Sequence, residues 1–256
     1  MKAAIIGGTG IYSISEDFIP TKITTPYGEV VVNILTFPKN KKEIIFLPRH
    51  GMNHKLPPHK INYRANIWAL KELMVTHVFA INAVGSLNPR QRPGQLAIFT
   101  DFIDATKNRP ATFFDGETGV IHTSMADPYC FELRRIITEQ SKTKGLQFHK
   151  SIYVGTEGPR FETAAEIAVY RQWGADLVGM TGVPEVVLAK ELGLCYAGIG
   201  IITNWATGIA HDHQRDEIIS TVEENRRVLT EFLFELTQAK DLNQKNCHCK
   251  NATMIM

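Results

Sequence analysis

Short apolar runs that stop at turn residues recur along this chain, with helix-period segments between them. Lys2–Ile6 ends in Gly7-Gly8-Thr9-Gly10, Glu43–Pro48 in Arg49-His50-Gly51, and His77–Ala83 in Val84-Gly85-Ser86. Leu194–Thr203 is a longer apolar run that stops at Asn204. Between the second and third runs, Asn62–Met74 carries Ile67, Leu70 and Met74 on one helical stripe. Strand, helix and strand with a turn after each strand is a βα pattern, which favours parallel pairing in an α/β fold. In such sheets ligands collect at the carboxyl ends of strands. Thr9, Arg49, His50, Asn82 and Ala83 all fall at predicted strand ends, so they are candidates for one site.

The remaining pattern adds strands over Thr21–Pro38, Gln95–Ile103, Lys150–Val154 and Leu177–Met180. Helices are expected over Pro128–Thr143, Thr163–Arg171, Glu185–Leu192 and Asp216–Ala239. Asn108–Asp127 is a Pro- and Gly-containing insertion longer than most connections, as expected of a lid or a subunit contact. With 256 residues and neither a linker nor a repeat, one domain is expected over 1–240, followed by a polar tail over 241–256. The formal net charge is +2 and the basic residues are dispersed, unlike the clustered footprint of a nucleic-acid binder. Glycines break the N-terminal apolar run too early for a signal peptide, and no run approaches the ~20 apolar residues of a membrane span. A cytoplasmic protein is therefore expected, without nucleic-acid or membrane partners. Cys130 and Cys195 sit in apolar surroundings. Cys247-His248-Cys249 has a metal-like spacing but lacks an adjacent second pair. The tail is expected to fray, with no metal site.

Some local readings stay open on the residues alone. Gly7–Gly10 is either a tight turn or a cradle of N–H groups around an anion, with Thr9 supplying a hydroxyl. Arg49-His50 is either a surface pair or an oxyanion site built on the guanidinium fork. Gly155–Ala206 holds Gly158-Pro159, Phe161-Glu162, Met180-Thr181 and Asn204. These lie in different local structures and meet only if the fold brings several element ends together.

The chain resembles the trimeric purine nucleoside phosphorylases, in their methylthioadenosine phosphorylase branch. The resemblance runs to about residue 240. It rests on IIGGTGIY, TPYGE, PRHGMNH, HKINYRANIWALKE, NAVGSL, HTSMADPYC, TEGPRFETAAE, WGADLVGMTGVPEVVLAKELGLCYA and TNWA, in that order. It implies a three-layer αβα sandwich with a mixed, partly barrel-like central sheet, assembled as a homotrimer. It also implies transfer of a ribosyl group from a purine to inorganic phosphate, with phosphate as co-substrate and no cofactor. Thr9, Arg49, His50, Asn82, Ala83 and Thr181 would then hold phosphate, with His50 and Asn204 in catalytic roles. Phe161, Glu162, Met180, Asn204, Trp205 and Ala206 would surround the nucleoside. Met180 would meet the sugar through its backbone, and His122 would close the 5′ pocket of a neighbouring subunit.

Two positions depart from the adenine-specific members of that family, which carry Ser at 162 and Asp at 204 and 206. The 6-oxopurine enzymes carry Glu and Asn at the first two, as here. A 6-oxopurine presents an acceptor at O6 and a donor at N1–H, which suit an amide and a carboxylate; adenine reverses both. The expected substrate is a 5′-methylthio-6-oxopurine nucleoside. Inosine or guanosine is the runner-up, and methylthioadenosine comes third. The plain alternatives are that Glu162 merely opens the helix after it and that Asn204 is a turn residue.

Overall fold

The computed structural model describes residues 2–8, 17–37, 42–117, 119–210, 215–239 and 241–256. In chain order the strands are β1 (Lys2–Gly7), β2 (Ile19–Thr25), β3 (Gly28–Thr36), β4 (Glu43–Pro48), β5 (Val75–Ser86), β6 (Leu96–Ala105), β7 (Ile121–Thr123), β8 (Phe148–Thr156), β9 (Leu177–Gly179), β10 (Cys195–Trp205) and β11 (Thr253–Ile255). The helices are α1 (Tyr63–Glu72), α2 (Phe131–Thr143), α3 (Ala164–Gln172), α4 (Gly182–Glu191) and α5 (Arg215–Thr237). Nine strands form one sheet in the order β10-β6-β8-β9-β5-β1-β4-β3-β2. Because β10 also pairs with β5, five of them (β5, β9, β8, β6, β10) close on themselves. The pairing is mixed: β1–β4, β1–β5, β5–β10 and β6–β8 are parallel, whereas β3–β4, β5–β9 and β6–β10 are antiparallel. This is the expected αβα sandwich with a partly barrel-like sheet.

Strand periodicity builds the layers. Ala4 and Ile6 of β1 and Ile45 and Leu47 of β4 face a cluster with Ile67 and Leu70 of α1 and Val186 and Ala189 of α4. Their neighbours Ala3, Ile5, Ile44 and Phe46 face the opposite cluster, with Leu133 and Ile137 of α2 and Leu229 and Phe232 of α5. A strand buried on both faces reads as a continuous apolar run, which is why β1 and β4 stand out in the sequence. The helix starts are set locally. The Asn62 side chain accepts from Ala65 N at 3.1 Å, and Thr163 forms a capping box with Glu166. Glu162 is thus not the residue that opens α3.

Two features differ from expectation. β5 does not stop at Ala83 but runs to Ser86, and it changes partner on the way. On one edge β1 pairs with it up to Ala80, and β9 takes over only at Gly85. Asn82 and Ala83 therefore sit where a neighbouring strand has dropped out, and such a divergence opens a crevice. The C-terminal segment does not project as a loose tail. Its β11 pairs antiparallel with β7, and Leu242, Cys249 and Ala252 are buried. These few apolar anchors outweigh its polar composition.

Candidate active site

The crevice beside β5 continues into a cavity of about 210 Å³. That is room for several waters at ~30 Å³ each, enough for a small molecule rather than a lone ion. Arg49, His50, Ala83, Phe161, Glu162, Met180, Thr181, Asn204 and Ala206 line it, with Pro58, Gly85 and Ile218. The ends of β4, β5, β9 and β10 thus meet there, as the strand-end pattern suggested. Asn82 reaches the cavity wall through Thr181. Trp205 is not among the lining residues. His122 lies on β7, paired with Met254 of β11, and does not line this cavity of its own chain. Thr9 lies outside the described residues.

Arg49 is held by a charge that the sequence did not reveal. Its Nε and Nη2 donate to the two carboxylate oxygens of Glu185 at 2.7 and 2.8 Å, and both side chains are fully buried. Nη1 donates to Ile81 O at 2.7 Å, the β5 carbonyl just past the last β1 pairing. Burial alone would lower the guanidinium's pKa, but the Glu185 charge and hydrogen bonds more than offset it, so the net direction is up. Five N–H groups minus these three bonds leaves two donors for an anion. Gly8 makes room for this arrangement, since a Cβ there would meet Nη1 at 2.6 Å. The Tyr196 hydroxyl also donates to Glu185, at 2.7 Å. Burial pushes that phenol's pKa well up, so it remains a donor.

Thr181 is oriented to donate. Its hydroxyl accepts from Asn82 Nδ2 at 3.0 Å, so its own proton points elsewhere. Its N–H and that of Gly182 both donate to the Tyr153 hydroxyl, at 3.2 and 3.1 Å. Among the described residues, the Oδ1 of Asn82 is buried without a hydrogen-bond partner. An O–H of a bound ligand would satisfy it.

His50 is the lone-pair counterpart of these donors. Its Nδ1 lies 2.7 Å from Leu56 O, which can only accept. The proton therefore sits on Nδ1, and Nε2 carries the lone pair. Burial lowers the imidazole pKa to about 4. The Leu56 bond opposes this, and the nearby Arg49 and His54 charges add to it. The unfolded chain, with an ordinary value of 6.5, binds the proton more readily. His50 thus has no effect on stability above about pH 6.5 and removes stability as pH falls from there towards 4, by ~3 kcal/mol in all. Urea unfolding at neutral pH and near pH 4 checks this: His50→Asn should show a shallower acid loss than the parent. An identical loss would place the titration elsewhere.

The two base-reading candidates are also fixed in place. Glu162 is buried, and its Oε1 accepts from the Thr156 hydroxyl at 2.5 Å. The Asn204 amide donates to Trp205 O and accepts from the Thr203 hydroxyl, both at 2.8 Å. The pairing of β10 with β5 shifts register between Ile202 and Asn204. Gly85 opposite leaves room for the amide, as a Cβ there would come within 3.1 Å of Nδ2.

Sequence reasoning also missed Arg109, which sits in the insertion. Its side chain is buried and donates to the carbonyls of Thr156, Glu157, Met180 and Val183 and to the Tyr63 hydroxyl. Its Nε faces the Glu157 carboxylate at 3.6 Å, an ion-pair distance too long for a hydrogen bond. One guanidinium thus ties the end of β8 to the turn that carries Met180 and Thr181. The Met180 carbonyl is therefore committed to Arg109.

Hydrogen-bond donors, an imidazole lone pair and a carboxylate–amide pair thus share one cavity at the crevice of an αβα sheet, a lining that suits an anion beside a polar heterocycle. The family model of the phosphorylase superfamily matches residues 2–238, and the chain belongs to that family. It is 48% identical to the probable 6-oxopurine nucleoside phosphorylase of Moorella thermoacetica, over 98% of each chain. It is 45% identical to the probable S-methyl-5′-thioinosine phosphorylase of Methanocaldococcus jannaschii, over 97% of this chain and 96% of the relative. A methylthioadenosine phosphorylase from Schistosoma mansoni, solved in complex with adenine, superimposes with a TM-score of 0.85 at 32% identity, over 93% of this chain and 91% of the other.

Proposed function

We propose that the chain catalyses phosphorolysis of a 6-oxopurine nucleoside, giving the free purine and a ribose 1-phosphate. The observation that carries this reading is that Glu162 and Asn204 line the same cavity as Arg49, His50 and Thr181. With Oε1 of Glu162 engaged by Thr156, Oε2 accepts from N1–H of the base. The Asn204 amide serves O6 and a protonated N7. The names borne by the Moorella and Methanocaldococcus relatives point the same way. Pro58, Phe161 and Ile218 give the cavity an apolar side, which favours a 5′-methylthio group. S-methyl-5′-thioinosine is therefore the first substrate, and inosine or guanosine the second.

In the reaction, positive charge develops on the sugar as the bond to the purine stretches. Phosphate is a weak nucleophile, and what it needs is position. The two remaining Arg49 donors and the Thr181 hydroxyl hold it, while His50 Nε2 and Asn82 Oδ1 accept from its O–H. Ideal orientation beside C1′ removes up to ~7–11 kcal/mol of barrier, and the anion's own charge stabilises the sugar cation. The same reading takes His122 as a contribution to a neighbour's 5′ pocket in a homotrimer. Val120, Met254 and Ile255 around β7 are exposed, and a second subunit would cover them. Purine salvage in the cytoplasm is the setting this reaction serves.

Phosphorolysis of methylthioinosine, inosine and methylthioadenosine at saturating phosphate tests the reading. The expected order of kcat/KM is the order just given. A wide lead for methylthioadenosine would overturn it, and free ribose released without phosphate would make the protein a hydrolase instead.

A further inference from the structure

At the other end of β10 from Asn204, roughly 30 Å away at ~3.3 Å per residue, four cysteines converge. Cys195 opens β10, Cys130 precedes α2, and Cys247 and Cys249 come from the C-terminal segment. All four sulfurs lie within 4.8 Å of one another, and three of the residues are buried. All four are free thiols, and the Cys195 and Cys247 sulfurs are 3.4 Å apart. The pair missing beside Cys247-His248-Cys249 in the sequence is supplied by the core.

The geometry separates two chemistries. A disulfide needs each sulfur to meet one other at ~2.05 Å, whereas here each sulfur faces all three others. Four mutually adjacent thiols can occupy the corners of a tetrahedron. An ion with bonds of ~2.3 Å to sulfur sets those corners about 3.8 Å apart, within reach of the observed spacing.

A second observation comes from Lys190. It is buried, its Nζ donates to Asp127 O at 2.6 Å, and its other partner is Cys249 Sγ at 3.9 Å. Among the described residues no carboxylate lies within ion-pair distance of this ammonium. A buried cation needs a counter-charge, and a zinc ion held by four thiolates carries a net negative one.

We propose that Cys130, Cys195, Cys247 and Cys249 form a structural zinc site that clamps the C-terminal segment onto α2 and β10, apart from the reaction centre. Soft thiolates in a closed tetrahedron suit zinc. On binding, the thiols lose their protons to solvent and no redox change occurs.

The full chain, purified under reducing conditions, should contain zinc in a one-to-one ratio by mass spectrometry of the elements. After chelation it should take up Co²⁺ with the visible bands of a tetrahedral tetrathiolate and show a lower Tm. Cys247→Ser alters the half-buried member of the set. It should lose most Co²⁺ uptake and the zinc-dependent part of Tm, with kcat/KM unchanged within about twofold. Metal content of the parent protein decides the matter even if the variant does not fold. The proposal is overturned by a zinc-free protein whose thiols are all alkylated and which ignores Co²⁺. It is equally overturned by a mass lighter by the hydrogens of two disulfides.

Discussion

Glu185→Ala is expected to destabilise the protein by about 3–5 kcal/mol, because it strands the Arg49 guanidinium in the core without a counter-charge. For a chain of this length that is a fall in Tm of roughly 6–20 °C. The size follows from burial. Both partners are at zero side-chain exposure, and the pair is bidentate at 2.7 and 2.8 Å. Restoring balance by a second change separates stability from function. Arg49→Met in the Glu185→Leu background should recover much of the loss, since replacing a whole buried ion pair with apolar groups is often near neutral. The Tyr196 hydroxyl loses its acceptor in both backgrounds, so it cancels in the comparison. On the proposed reading the double variant should still fail to use phosphate, having lost the Arg49 guanidinium that would hold it. Chemical denaturation of the parent, Arg49→Met, Glu185→Leu and the double variant closes a double-mutant cycle and checks the coupling. A Glu185→Ala loss below about 1 kcal/mol would show that water reaches the pair.

Glu162→Gln should cut kcat/KM on the 6-oxopurine nucleoside roughly 10–150-fold, the value of one hydrogen bond to a charged group. It should also raise the relative rate on the 6-amino analogue. Gln keeps an oxygen for the Thr156 hydroxyl, which now meets Glu162 Oε1 at 2.5 Å, and it turns an N–H towards the base where a carboxylate oxygen stood. That N–H suits the N1 lone pair of adenine and clashes with N1–H of hypoxanthine. This variant is cleaner than Asn204→Asp. The Asn204 amide already donates to Trp205 O at 2.8 Å, and an aspartate there would set two acceptors face to face. Steady-state kinetics on the two nucleosides gives the ratio. An unchanged ratio in Glu162→Gln would mean that the carboxylate does not read the base.

Element positions were legible because strands such as β1 and β4 are buried on both faces and carry no polar interruption. Glu162 and Asn204 were legible as candidates through the donors and acceptors a purine demands, and both line the cavity. What stayed hidden depends on contacts between distant parts of the chain. Glu185 reads as an ordinary acid in the first turn of α4, and only the fold brings it to Arg49. Arg109 sits in a polar, Pro-containing stretch, and its carbonyl partners are backbone groups with no sequence signature. The end of β5 was misplaced because Val84-Gly85-Ser86 looks like a turn. The glycine there makes room for Asn204 and does not break the strand. The C-terminal segment looked frayed because its anchors, Leu242, Cys249 and Ala252, are few and scattered.

The gap along β5 between the last β1 pairing at Ala80 and the first β9 pairing at Gly85 is made by strand lengths, not by side chains. Exchanging residues on its walls leaves the recess where it is. The shape of the recess is therefore separable from its lining: cavity-lining positions such as 162, 204 and 206 can change while the backbone that frames them stays. The Schistosoma mansoni enzyme keeps the same frame at 32% identity.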